Sequence, residues 1–416
     1  MSLLHGRHRV GPAATEKPVN RTSLGRAALL LISCLVCVAV AEATLRVAMP
    51  QLGWHPLADE VLGWSSPEYQ QFDPTAQSGQ ARPRRLLVLG DSFVAGAMLS
   101  DLDERFPILA ARSLEPRPDV AILATGGWGT DQELLAFLAK GRSWQPDVVL
   151  LAFCANNDLS NNASNTHDAT MTKPYFVSGS DGALELFSSE GRPLDDWARR
   201  LQPAPAIRSY AFEWIRYWLR PRPSEASPAT RAGPRGAAVD PRYTRFDFAA
   251  EKPGELYALQ PSLSWSPQHS VSHASAYIAG DFDTNRFQWQ LFESIVGRLQ
   301  LETEAAGAEL VVMLLPVAFK PQDPRFIAGG SLEFEFDTPD GPFRFRAAEP
   351  RDRLRAITER AGVRFFDPTG EFIENVARNR LEVRFWPNPH NRHFGAEGHA
   401  FLAGQLSRYL RSELSW

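Results

Sequence analysis

The run Arg85-Leu-Leu-Val-Leu-Gly-Asp-Ser-Phe-Val-Ala-Gly96 constrains this chain most, because an apolar stretch stops abruptly at a glycine, an acid and a serine. Leu86 to Leu89 is short, apolar and unalternating, the pattern of a central parallel strand covered on both faces. Gly90 then permits a sharp turn where the strand ends. In open α/β sheets the ligand crevice lies outside the carboxyl ends of the strands, so the pattern predicts a buried strand that delivers Ser92 as a nucleophile. A simple turn after a strand is the competing reading of Gly-Asp-Ser, and other stretches must decide between them.

The 416 residues are long for one compact domain, but 44% hydrophobic and 11% aromatic residues supply a sizeable core, so one α/β domain with insertions is expected. A net charge of -4 with both signs mixed along the chain gives no field suited to nucleic acid, and no such partner is expected. Of the three cysteines, Cys34 and Cys37 lie in an apolar N-terminal stretch and Cys154 in the body, which precludes a disulfide framework.

Residues 1–26 carry Arg7, Arg9, Lys17, Arg21 and Arg26, and Ala27 to Ala41 then runs mainly apolar. Residues 27–47 therefore read as a signal peptide or a short signal anchor, with the basic flank cytoplasmic and the body exported. Residues 48–83 read as a linker, and the body spans 84–416.

Strands and helices then alternate. Leu86 to Leu89, Val120 to Ala124 and Val148 to Phe153 read as strands, with helices over Arg105 to Leu114 and Asp131 to Lys140, which implies a parallel sheet with helices on both faces. The alternation breaks after Asp158, and the next strand, Glu309 to Leu315, arrives about 150 residues later. The stretch between, about 160–284, is an insertion. Within it residues 221–242 are rich in Pro, Ser, Ala, Gly and Arg, a composition that predicts a mobile loop. Helical spacing over Asn285 to Glu304 leads back to the sheet. A second insertion, 331–346, alternates in period two around Pro-Asp-Gly and predicts a hairpin with its phenylalanines on one face and Glu333 and Glu335 facing Arg344 and Arg346 on the other. It is either a packed decoration or a flap beside a cleft. A helix over Arg351 to Ala361, a strand over Val363 to Phe366 and a helix from Ala396 to Leu410 complete the pattern.

Three stretches add chemistry to Ser92. The second strand ends in Ala124-Thr-Gly-Gly-Trp-Gly-Thr130, a glycine-rich turn whose backbone N–H groups suit an anion; no nucleotide fingerprint is present, so an oxyanion donor fits better. The third strand ends in Phe153-Cys-Ala-Asn-Asn-Asp-Leu159, which brings an asparagine amide to the same edge, where one donor to an oxyanion is worth on the order of 3 kcal/mol. The last block, Asn388-Pro-His-Asn-Arg-His-Phe-Gly-Ala-Glu-Gly-His399, holds three histidines without the cysteine or carboxylate set of a metal site, so no metal is expected. One histidine acting as general base for Ser92 is the economical reading.

With these four stretches in hand, the chain resembles the SGNH (GDSL-type) hydrolase superfamily, named for serine, glycine, asparagine and histidine in four blocks that stand here in the family's order. The resemblance implies a three-layer α/β/α, flavodoxin-like fold with five parallel strands in the order 2-1-3-4-5. It also implies Ser92 as nucleophile, His393 as base, and an oxyanion hole made by the Ser92 N–H, the Gly127 N–H and the Asn157 amide. It covers roughly residues 84–160 and 308–412. One position departs from the family. The aspartate expected two or three residues before the histidine is replaced by Asn391 and His390. In serine proteases an aspartate-to-asparagine change in the triad costs about 10⁴ in turnover, through the wrong imidazole tautomer. Asn391, through its amide oxygen, and Asp367, just past the fifth strand, are the two candidate orienters of His393, with a structural turn as the competing role for Asp367.

The function implied is an exported serine esterase or deacetylase that cleaves an acyl ester, of a glycan or a lipid, through an acyl-serine intermediate and without a cofactor. Two other readings stay open: an O-acyltransferase of a cell-surface polysaccharide, and an acyl-glycan binding protein with an impaired site.

Overall fold

The computed structural model describes residues 21–48, 57–59, 61–74, 83–167, 171–179, 182–189, 191–194, 274–280, 283–319, 324–338, 341–379, 385 and 393–416. The expected mobile loop at 221–242 lies outside them. Arg21–Ala48 forms an N-terminal helix on which Leu29, Leu30, Ile32, Leu35, Val36, Val38 and Val40 are exposed. It is assigned to one of two compact units, and the elements of the body described below to the other. Among the described residues no helix is long and apolar enough to cross a membrane, so the expected anchor finds no support there.

The body is organised on five parallel strands. They are β1 (Arg85–Gly90), β2 (Asp119–Ala124), β3 (Val148–Phe153), β4 (Glu309–Leu314) and β5 (Arg364–Phe366), hydrogen-bonded in the order β2-β1-β3-β4-β5. This is the expected 2-1-3-4-5 order. β1 and β3 are buried at every position, which is why their sequences do not alternate. Each fully buried Leu or Val of β1 contributes about 1.5–3 kcal/mol through removal from water.

The connecting helices are α1 (Phe106–Arg112), α2 (Thr130–Ala136), α3 (Asp158–Asn162), α4 (Asp283–Ala305), α5 (Glu349–Ala361), α6 (Thr369–Asn379) and α7 (Ala396–Leu414). Right-handed crossovers fix their layers. The step from β1 to β2 runs one way along the sheet and every later step runs the other way, so α1 lies on one face and α2, α4 and α5 on the opposite one. The packing agrees: α2, α3 and α4 contact one another, α4 contacts α5, and α7 pairs with α1. The sequence reading missed α6, whose TGEFIENVARN pattern buries Phe372 and Val376.

Two further regions test the expectations. The hairpin has the predicted register, Phe334 opposite Phe345 and Glu335 opposite Arg344. Of the two readings left open for it, the packed one holds. A short strand, Ile278–Ala279, joins it as a third strand, and Phe345 is fully buried between Tyr277 (5.2 Å) and Phe334 (5.0 Å). The lead-in segment, expected as a linker, buries Leu62, Trp64 and Tyr69 in the body's core. Lys140 fastens it, its Nζ donating to the carbonyls of Tyr69 (2.7 Å), Gln70 (3.0 Å) and Phe72 (3.0 Å).

Candidate active site

Ser92 stands two residues beyond β1, at the start of a single helical turn, Ser92–Ala95. Asp91 caps that turn by accepting from the Phe93 N–H at 2.8 Å. Gly90 is required by close approach, because a Cβ there would stand 2.2 Å from Val94 Cγ2 as the turn folds back. The apolar strand supplies rigidity and the glycine supplies the corner, so the serine is projected from a fixed point.

The last block reaches this point from 301 residues away: His393 Nε2 lies 2.6 Å from Ser92 Oγ. Phe93 packs against the imidazole at 4.5 Å between ring centres and against Phe394 at 5.1 Å, which limits where the ring can go. His399, six positions on, is a different kind of histidine. It is buried against Phe106, accepts from the Phe106 N–H through Nδ1 at 3.3 Å, and its pKa is pushed down to about 3 by burial and then by Arg105 and His393. It stays neutral and structural. His390 and Asn391 lie outside the described residues, so the first candidate orienter does too. The second, Asp367, has a structural job: its Oδ1 accepts from the Thr369 N–H at 3.0 Å and from the Thr369 hydroxyl, capping the start of α6. No group of histidines, cysteines and carboxylates able to hold a metal occurs among the described residues.

The glycine-rich loop after β2 lies over the nucleophile, since a Cβ on Gly126 would stand 3.8 Å from Ser92 Cβ. Gly127 has φ +78°, a conformation that glycine adopts without steric cost. Among the described residues neither the Ser92 N–H nor the Gly127 N–H has an acceptor. Asn161 Nδ2 holds the Gly127 carbonyl at 3.0 Å. Asn157 reaches the same edge, but its amide is engaged. Nδ2 donates to Asp91 Oδ2 at 3.0 Å and makes a longer contact of 3.4 Å to the Trp128 carbonyl. An oxyanion would have to displace that weaker second contact to recruit this donor.

Beneath these groups lies a set of buried carboxylates that the sequence reading did not single out. Asp91, Asp131, Glu133 and Asp158 are all at or below 1% exposure. Burial pushes Asp91 up to about 6, and it raises Glu133 and Asp158 well above the ordinary carboxylate range, with their mutual repulsion adding to it. Neither oxygen of Glu133 has a hydrogen-bond partner among the described residues. That environment favours the neutral form of Glu133. Lys173, buried in the first insertion, forms an ion pair with Asp131 at the start of α2. Burial lowers the Lys173 pKa and raises that of Asp131, against their attraction. The signal available in the sequence was Asp131, Glu133 and Asp158 flanking the second and third blocks, at positions where a helix start would ordinarily explain them.

No family model matches the chain, and no curated protein does. Among solved structures the chain is similar to the lipase/acylhydrolase from Enterococcus faecalis, at 10% identity over 79% of this chain and 95% of that one, with a TM-score of 0.36. It is similar in the same degree to a two-domain esterase (CEX) active on acetylated mannans, at 10% identity over 79% of this chain but 48% of that one, with a TM-score of 0.36.

Proposed function

We propose that the chain is an SGNH-type serine hydrolase that cleaves an acyl ester. The observation that carries this reading is the 2.6 Å contact between His393 Nε2 and Ser92 Oγ at the carboxyl end of a central strand. In the reaction His393 takes the Ser92 proton as the hydroxyl oxygen attacks the ester carbonyl. The tetrahedral oxyanion is then held by the N–H groups of Ser92 and Gly127 and by the Asn157 amide. Collapse expels the alcohol, which takes the proton from His393. Water, deprotonated by the same imidazole, then releases the acid from the acyl-serine. None of these steps requires a cofactor. A sugar hydroxyl replacing water at the last step would make the enzyme an O-acyltransferase with the same site. The close Ser92–His393 contact favours chemistry over passive acyl-glycan binding.

Export of the body, with the basic N-terminal flank left in the cytoplasm, is part of the same proposal and is supported by the charge asymmetry around residues 27–47. Asn391 remains the candidate orienter of His393 at the family's acid position. Asn391→Asp is expected to raise turnover by giving the imidazolium a charged partner, and an unchanged rate would remove Asn391 from the mechanism. The function is tested by short acyl-ester turnover with and without an added sugar acceptor. Free acid in both cases identifies a hydrolase, acylated sugar identifies a transferase, and no turnover by the parent refutes the proposal.

A further inference from the structure

The geometry points to Trp64, in the lead-in segment, as a positioning residue for the oxyanion loop: its indole N–H holds the Gly126 carbonyl and thereby aims the Gly127 N–H. This rests on the reading of the site given above and adds a residue that lies outside all four sequence blocks. Trp64 sits in the short strand Gly63–Ser65, paired with Leu57–Asp59, and is 1% exposed. A buried indole N–H can only donate and needs an acceptor. Here the acceptor is the Gly126 carbonyl at 3.1 Å.

The consequence follows from peptide geometry. The Gly126 carbonyl and the Gly127 N–H belong to one planar trans unit, in which the C=O and N–H point in opposite directions. Fixing the carbonyl on the Trp64 side therefore fixes the N–H on the other. Such a hold is needed because two consecutive glycines have the broadest backbone freedom available, and an untethered peptide there would sample several orientations. The tie is reciprocated: Trp128 Nε1 donates to the Trp64 carbonyl at 2.8 Å. The same segment is stitched on either side of the glycine pair, by Ser66 N to Thr125 Oγ1 (2.9 Å) before it and Gln132 Nε2 to the Leu62 carbonyl (2.7 Å) after it. Oxyanion donors accelerate reactions because they are aimed before charge develops, so loss of the hold should reduce catalysis more than binding.

The test compares three forms of the full chain with the parent. In Trp64→Phe the donor is lost together with some volume. Replacing Trp64 by 3-benzothienylalanine keeps the ring shape but puts sulfur where the N–H was. Trp289→Phe is the volume control, because the Trp289 indole nitrogen is buried without a hydrogen-bond partner among the described residues. The expected result is a fall in kcat of about ten- to a hundredfold in both position-64 forms, with KM changed less than about threefold. Labelling by a fluorophosphonate should slow in parallel, and Trp289→Phe should change kcat less than about twofold. If Trp64→Phe does not fold, the benzothienyl form carries the comparison. A benzothienyl form with parental kcat overturns the inference, as does an equal loss in Trp289→Phe. A parent that neither turns over ester nor labels refutes instead the function on which the inference rests.

Discussion

The carboxyl edge of the central sheet and the small sheet around residues 333–346 handle charge in opposite ways. On the small sheet the paired charges stand toward solvent: Glu333 meets Arg344 at 2.9 Å and Arg346 at 3.6 Å, and Arg346 also meets Asp352 at 2.9 Å. At the edge, four carboxylates are taken out of water together, and Lys173 is the cation paired into them among the described residues. Solvated pairs cost little and contribute little, whereas buried acids are expensive unless something holds them. The edge keeps such groups next to Ser92, Gly127 and Asn157, where local stability has been traded for a fixed arrangement of donors.

The sharpest way to break this contrast is at the edge itself. Ser92→Ala and His393→Ala should each lower acyl-ester turnover by about 10⁴ or more while the protein stays folded, which kcat and circular dichroism together would establish. Retained turnover in either variant would remove that residue from the mechanism.

Lys173→Met comes next. It leaves Asp131 buried and unpaired beside Glu133 and Asp158, and should destabilise the protein by about 3–5 kcal/mol in denaturant titration. Combining it with Asp131→Asn should recover most of that loss, because no orphan charge remains.

The third effect is a pH dependence. Asp91 keeps its proton in the native state up to about pH 6, whereas the unfolded chain releases it near 3.8. Between these values the unfolded state binds fewer protons, so the contribution of Asp91 to stability is full below pH 4 and is lost as pH rises through 6. The total is about 3 kcal/mol. His399 acts in the opposite sense, since a histidine held near pKa 3 stabilises above its ordinary value of 6.5 and loses that contribution as pH falls towards 3. The parent-minus-Asp91→Asn difference in stability, measured across pH 4 to 6, isolates the Asp91 contribution and should slope downward with pH. A flat difference would contradict it.

The smallest effect belongs to the other sheet. Glu333→Ala should change stability by about 1 kcal/mol or less and leave turnover alone. A larger loss there would erase the distinction between the two regions.

Much of this arrangement was legible in the residues. The apolar run at Leu86 to Leu89, the glycine-rich turn at Gly126 to Gly129 and the histidine block pointed to one edge because each sits where an element's period ends. The strand order came from resemblance, and the observed sheet has it. What could not be read was tertiary in origin. Trp64 lies in a mixed, proline-bearing stretch with no period, and its partner is a backbone carbonyl 62 positions away, which leaves no mark in sequence. Glu133 lies on α2, which packs against α3 and α4, and its burial follows from the tertiary fold rather than from a local pattern. Asp367 takes the structural-turn role that competed with an acid's role in the sequence, held by the nearest N–H and hydroxyl, as short-range capping usually prevails over a longer reach.

The central claim is that Ser92 is an activated nucleophile, and it is tested most directly by treating the protein with a fluorophosphonate and measuring its intact mass and adduct site. The account predicts one adduct per chain, on Ser92, formed by the parent and absent from both Ser92→Ala and His393→Ala. A parent that remains unmodified, or a Ser92→Ala variant that labels at the parental rate, would contradict it.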